Sequence, residues 1–406
     1  MFDRLALIAP DDLNREAAPL RAAIVEVIAY EADRLAYFQD AVATEAYLTT
    51  ARTRPSVRRH SRLLGYRMHD GCNARGYVQV VLDPGASLAG SPITPGCTML
   101  TRLSFGGPVV QPHDMALAMS EGPEVFEVRL APAAFSAGNN DIALYTWGDG
   151  DCCLPAGCTY AWVVDEGDLA LAEGDFLLLR QTADPSTRDP ADADPSLRHV
   201  VRLTSVGAAV PDPLFPGTTA RLLTWHHDDA LPFGLTVTVG EQPVASAGGN
   251  LVLVDHGRSV ADRIEIERWG NQDRLRSTLP QADLSFAWWP PEPARDAMGA
   301  IALLDQDPRQ ATPLVELAGE QEPWHPVRDL LSSPPSAREF VVETENDGRA
   351  RIRFGDDTNG RRPSDDSVVT SQLTDLDDDR AFVASYRVGR AAAGNVGAGA
   401  IAHLVA

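Results

Sequence analysis

Val125-Phe126-Glu127-Val128-Arg129-Leu130 alternates apolar and charged residues with a period of two. Arg263-Ile264-Glu265-Ile266-Glu267-Arg268 does the same. That period marks half-buried strands, with one face on a core and the other on solvent. Similar short runs fill the chain on either side, at 77–82, 142–147, 159–164, 175–180, 235–239 and 251–254. Gly, Pro, Asn and Asp separate them, and 32 glycines and 30 prolines supply the turns. This part reads as antiparallel sheets in a sandwich or barrel. Further on, Asn346-Asp347-Gly348 sits between apolar runs and predicts a hairpin. A last strand is expected at 384–388, ahead of a Gly/Ala-rich stretch. The polar segment 183–197 reads as a mobile Pro/Asp loop, and Trp288-Trp289-Pro290-Pro291 and Ser332-Ser333-Pro334-Pro335 as joints.

The period changes ahead of residue 76. Leu20, Ile24, Val27, Ile28, Leu35, Phe38 and Val42 recur at spacings of three, four and seven, which predicts a helix over 20–48. Glu31 interrupts the stripe. A shorter helix should start near Pro55 and stop at Gly65, projecting Arg58, Arg59 and Arg62. Such a stripe cannot be buried by one helix alone, so it must pack in a bundle within its own domain or with a partner.

Charge is distributed unevenly. Arg52 to Arg75 holds seven arginines and one acid, Asp70, in a chain of net charge −22 with no lysine. Removing those from totals of 35 and 57 leaves 28 arginines against 56 acids elsewhere. The island has three readings: a nucleic-acid patch, a solvated basic face, or a protein interface against acidic neighbours. The acidic remainder would repel phosphate, which counts against the first. The adjoining helix and the use of Arg at interfaces favour the third.

The length of 406 residues predicts two or three domains. Five cysteines in a chain of this size read as reduced thiols rather than a disulfide framework. No run reaches the ~20 apolar residues of a membrane span, and the N-terminus lacks the basic region and apolar core of a secretory signal.

No motif in the sequence carries recognisable chemistry. Cys152-Cys153-x4-Cys158, with Cys72 or His69 as further donors, lacks the separated pairs of a zinc site and reads as packed thiols. His226-His227-Asp228-Asp229 reads as a solvated strand end followed by a loop, because neighbours on a strand point to opposite faces and only alternate ones can converge. Gly394–Gly399 resembles a phosphate loop but lacks its Lys-Ser/Thr. Trp147-Gly148-Asp149-Gly150-Asp151 reads as a tight turn. There is no Gly-x-Ser-x-Gly and no His-Glu-x-x-His, and abundant carboxylates are not evidence for a glycosidase pair. No catalytic residue, cofactor-binding residue, metal ligand or cofactor is therefore assigned.

A family resemblance runs through these segments. Ala36-Tyr37-Phe38-Gln39-Asp40-Ala41-Val42-Ala43-Thr44-Glu45-Ala46-Tyr47-Leu48 and Met68-His69-Asp70-Gly71-Cys72-Asn73-Ala74-Arg75 resemble the baseplate assembly proteins of phage-tail-like contractile injection systems. These are related to wedge proteins of contractile phage baseplates and to the baseplate J-like family. Tyr145-Thr146-Trp147-Gly148-Asp149, Arg198–Thr204 and Gly249–Gly257 are similar to its middle region. Arg353-Phe354-Gly355-Asp356, Tyr386–Gly389 and Gly394-Asn395-Val396-Gly397 are similar to its J-like section.

The expected fold is mixed α+β, mainly β. N-terminal amphipathic helices (1–75) precede a β-rich middle domain (76–285) and a baseplate J-like α+β region (286–406). Relatives continue past Gly-Asn-Val-Gly, so the chain reads either as a shorter paralogue or as part of a longer product. The resemblance implies a non-enzymatic wedge subunit that links the central spike hub to the sheath. Its expected partners are a related J-like wedge chain and sheath-initiator or hub proteins, in multiple copies around a six-fold baseplate. It also implies assembly in the cytoplasm into particles that lysis can release; from charge and hydropathy, neither a nucleic-acid partner nor a membrane span is expected. Tyr37, Phe38, Arg52, Arg58, Arg59 and Arg62 are the expected interface residues. The alternative is a β-rich envelope protein that binds or hydrolyses carbohydrate. A peripheral fibre protein, a third option, should show a shaft repeat, and none is present.

Overall fold

Pro55 in the first turn and Gly65 just past the last one delimit a short helix, as the sequence predicts. This helix, α2, spans Arg54–Leu63. Gly65 takes φ +72, a left-handed turn that a residue with a Cβ adopts only at a cost. The helix before it, α1, runs Pro19–Glu45. Its proline stands at the first position, no glycine interrupts it, and seven alanines favour it. The computed structural model describes residues 4, 7–8, 19–84, 87–89, 93–101, 103–104, 107–269, 274–318, 322–364, 382–389 and 400–405.

The chain divides into two units. The smaller contains residues 1–68 with 343–351; the larger contains 69–342 with 352–406. Among the described residues, no helix is long and apolar enough to cross a membrane.

The larger unit is mainly β. One six-stranded sheet runs in the order Arg75–Gln79, Leu251–His256, Val125–Leu130, Thr98–Thr101, Ile401–Val405, Val109–Val110. Its pairings are antiparallel except the last. Both faces of its Leu251 strand are covered. Val252 and Val254 pack with Met99, Phe126, Val128 and Phe135, while Leu251 and Leu253 pack with Phe176, Ala300 and Leu303. Burial on two faces explains why its first four residues, Leu251-Val252-Leu253-Val254, are all apolar instead of alternating.

A second sheet has the order Ile142–Ala143, Ala245–Gly248, Phe176–Gln181, Arg198–Pro211, Thr219–Trp225, Tyr160–Val164. Leu144 bridges Val163, and the Tyr145 amide donates to Trp162 O at 2.7 Å. These links join the two ends of the sheet, so the six strands close on themselves as a small barrel. Leu177, Leu179, Val201, Leu203, Leu223 and Trp225 contribute to its interior.

The described residues also form a three-stranded and a five-stranded sheet, besides four two-stranded ones. The first two meet around Trp324, fully buried, whose ring lies 5.3 Å from Phe354 and 6.1 Å from Phe382.

Several sequence expectations change in detail. The run 263–268 keeps its alternation, with Ile264 and Ile266 buried and Glu265 and Glu267 exposed. It is nevertheless split between strands Arg258–Ile264 and Glu267–Trp269 of different sheets. The Val125 strand is not half-buried: its charged Glu127 is as buried as its neighbours. Segment 183–197 is braced by its own acids. Asp184 Oδ1 accepts from the Ser186 and Thr187 amides, Asp189 from Ala191, and Asp194 from Ser196. Gly394–Gly399 lies outside the described residues.

Candidate interaction surface

α1 carries its stripe into solvent. Ile24, Val27, Ile28, Leu35, Phe38 and Val42 each lie at least half exposed. At 100° per residue these six fall within about 100° of arc on one side of the helix. Tyr30 and Tyr37 flank the stripe, and Tyr37 is 79% exposed. Glu31 within the stripe holds Arg34 at 3.2 Å. Leu20 is in the helix, but its side chain is outside the description. An apolar face of this size is a mark of a binding surface rather than of a finished fold.

Glu45, the last residue of α1, builds the turn to α2. Its carboxylate accepts from the Arg52 amide at 2.9 Å, the Thr53 amide at 3.2 Å and the Thr53 hydroxyl at 2.7 Å. The hydroxyl of Ser56, the Arg52 amide and the Thr53 hydroxyl together hold its carboxyl down to about 2. The same residue's carbonyl accepts from His60 Nε2 at 2.7 Å, which ties α2 back onto the end of α1. Sequence reading missed Glu45. The available signal was an acid at a helix end followed by a Thr-rich turn.

The hairpin tip within the smaller unit meets the start of α2. Asn346 Oδ1 accepts from the Arg54 amide at 2.6 Å, satisfying one of the open amides of the helix N-terminus. Arg58 turns toward the same tip. It donates to Thr344 O at 3.2 Å and stands 4.0 Å from Glu343. Its side chain is largely covered.

The arginine island is therefore divided. Arg52, Arg59 and Arg62 are exposed, next to exposed Leu63, Leu64 and Tyr66. Arg75, in the larger unit, is a structural strut. It donates to Leu303 O at 3.0 Å and Trp288 O at 2.6 Å, with its guanidinium 3.6 Å from the Trp289 ring centre. Burial lowers its pKa to about 10. Of the six expected interface residues, Tyr37, Phe38, Arg52, Arg59 and Arg62 face solvent, and Arg58 is engaged within the chain.

Cys158 is buried and donates to Tyr160 O, while Cys152 is half-buried and Cys153 exposed. Trp147-Gly148 forms a tight turn, with left-handed φ values of 57 and 82. The 226–229 stretch differs from expectation. It is a 3-10 turn from His227 to Asp229, not a strand end, so consecutive side chains need not point to opposite faces. His226, His227 and Asp228 gather on the outside. Asp229 turns inward, fully buried, and accepts from the amides of Arg202 (2.9 Å), Ala300 (2.7 Å) and Ile301 (3.0 Å).

Residues 1–63 match the family model described as bacteriophage baseplate protein, N-terminal domain. The matched stretch covers α1 and α2. No curated protein matches the chain. The match supports a structural protein of phage-baseplate type.

Proposed function

We propose that this chain is a wedge-type subunit of the baseplate of a phage-tail-like contractile injection system. It acts structurally and not as an enzyme. Its N-terminal unit docks onto neighbouring baseplate chains, and its β-rich unit carries the resemblance to the middle and J-like regions of baseplate assembly proteins. In this reading it links the central spike hub to the sheath and passes baseplate rearrangement on to sheath contraction. Its partners are a J-like paralogue and sheath-initiator or hub proteins, repeated around a six-fold ring. Assembly takes place in the cytoplasm, and the particles leave by lysis.

The observation that carries this reading is the solvent-facing stripe of α1 together with the exposed Arg52, Arg59 and Arg62 of the same unit. Both lie in the segment that matches a phage-baseplate domain. Fully burying one such apolar side chain is worth about 1.5–3 kcal/mol. Six of them supply ample drive for a permanent contact, and the guanidinium groups add geometric selectivity for carboxylates.

The test is a Leu35→Glu, Phe38→Glu double variant. The purified chain should keep its native circular dichroism while particles cease to assemble. Normal particle yield from this variant would overturn the reading.

A further inference from the structure

We propose that His226, His227 and Asp228 form a surface site for one divalent transition-metal ion of the zinc class. The site is independent of the docking surface on α1.

The three side chains converge because the backbone turns. His226 is the N-cap of the 3-10 turn (φ −62, ψ 142), which brings three consecutive residues to one side. His226 Nδ1 lies 3.5 Å from one Asp228 carboxylate oxygen, and His227 Nε2 lies 3.0 Å from the other. Zinc binds nitrogen and oxygen at about 2.0–2.1 Å, so two donors on one ion stand about 2.9 Å apart at a right angle and about 3.4 Å apart in a tetrahedron. The observed separations of 3.0 and 3.5 Å, each to a different Asp228 oxygen, lie within about 0.1 Å of those values. Among the described residues, this is the one His/Cys/Asp/Glu group that converges in this way.

The turn is also fixed in place. The His226 amide donates to Arg202 O at 3.0 Å, and buried Asp229 secures the other end through three amides. The Asp228 amide donates to His226 Nδ1 at 3.2 Å, so that ring nitrogen's lone pair is directed into the turn. A bound ion would take that lone pair in place of the amide. Two imidazoles and one carboxylate suit zinc, nickel or cobalt better than calcium or magnesium, which prefer all-oxygen shells. His227 is exposed over 81% of its side chain, so the remaining coordination positions open to water.

The test uses the full chain, stripped with chelator and titrated with zinc chloride by calorimetry. One saturable equivalent is expected. His227→Ala and Asp228→Asn should each weaken it by at least about tenfold, given that even outer-shell changes cost about 10–100-fold. Neither change touches the core. Cys153→Ser should leave binding unchanged, and the cobalt-loaded protein should show nitrogen and oxygen ligation without a thiolate band. The absence of saturable binding would overturn the proposal. So would binding that survives His227→Ala or that disappears in Cys153→Ser.

Discussion

Glu127 and Asp255 stand directly opposite each other in adjacent antiparallel strands, and both are buried. Two carboxylates so placed repel each other unless a cation intervenes. Arg387, from strand Phe382–Val388, supplies it. Its Nη1 donates to Asp255 Oδ1 at 2.5 Å, and its Nε stands 3.0 Å from Glu127 Oε2. Its Nη2 donates to the carbonyls of Asp255 and Gly257. Arg129 adds a second donor to Asp255 at 2.9 Å, and Ser259 donates its amide and hydroxyl to Glu127. The late strand is thus joined to the six-stranded sheet by charge as well as by packing.

Removing Arg387 should therefore be costly. Arg387→Ala leaves two buried carboxylates short of a countercharge, which costs about 3–5 kcal/mol. Equilibrium denaturation in urea reads this directly. A loss under about 1 kcal/mol would show that the network contributes little.

Asp229 makes a comparable local prediction. Its carboxylate caps the short helix Ala300–Leu304 and also holds the Arg202 amide. Asp229→Ala strands three amides, each with a desolvation cost of about 1–3 kcal/mol. The melting temperature should fall by several degrees. Gly299→Ala should destabilise through the same contact, because a Cβ there would lie 2.6 Å from Asp229 Oδ1.

Glu45 predicts an acid-sensitive joint. Its folded value of about 2 lies below the ordinary 4.5, so its contribution is complete above about pH 4.5 and fades as the pH falls toward 2. Hydrogen exchange at the Arg52 and Thr53 amides should accelerate through that window. Glu45→Gln should remove most of the pH dependence.

The arginines should behave differently from one another. Arg59→Glu with Arg62→Glu should leave the chain folded and prevent particle assembly. Arg58→Glu should loosen the smaller unit itself, because that side chain faces Glu343 and Thr344 O. Limited proteolysis around residues 50–65 distinguishes the two outcomes. Equal protease sensitivity in both variants would contradict the division of the island.

What the sequence revealed depended on locality. Pro55 and Gly65 set the ends of α2, and the spacing of apolar residues located α1, because both signals lie within a few turns of chain. The mainly β character was legible from the period of two at Ile264 and Ile266. At Glu127 the same period misled. Its countercharge, Arg387, lies 260 positions away, so no local pattern shows that the polar face meets another buried face. The 226–229 turn was misread for a related reason. Strand geometry was assumed to continue past Trp225, whereas buried Asp229 bends the chain toward the helix at 300–304. The engagement of Arg58 depends on a hairpin tip nearly 300 residues downstream.

The most direct test of the baseplate role is an electron-microscopy map of intact particles from the source cell. Density for this chain is expected in the baseplate, with Ile24, Leu35, Phe38 and Val42 of α1 buried against a neighbouring chain and Arg59 and Arg62 against its carboxylates. Particles that lack the chain, or that contain it with the α1 stripe facing solvent, would contradict that role.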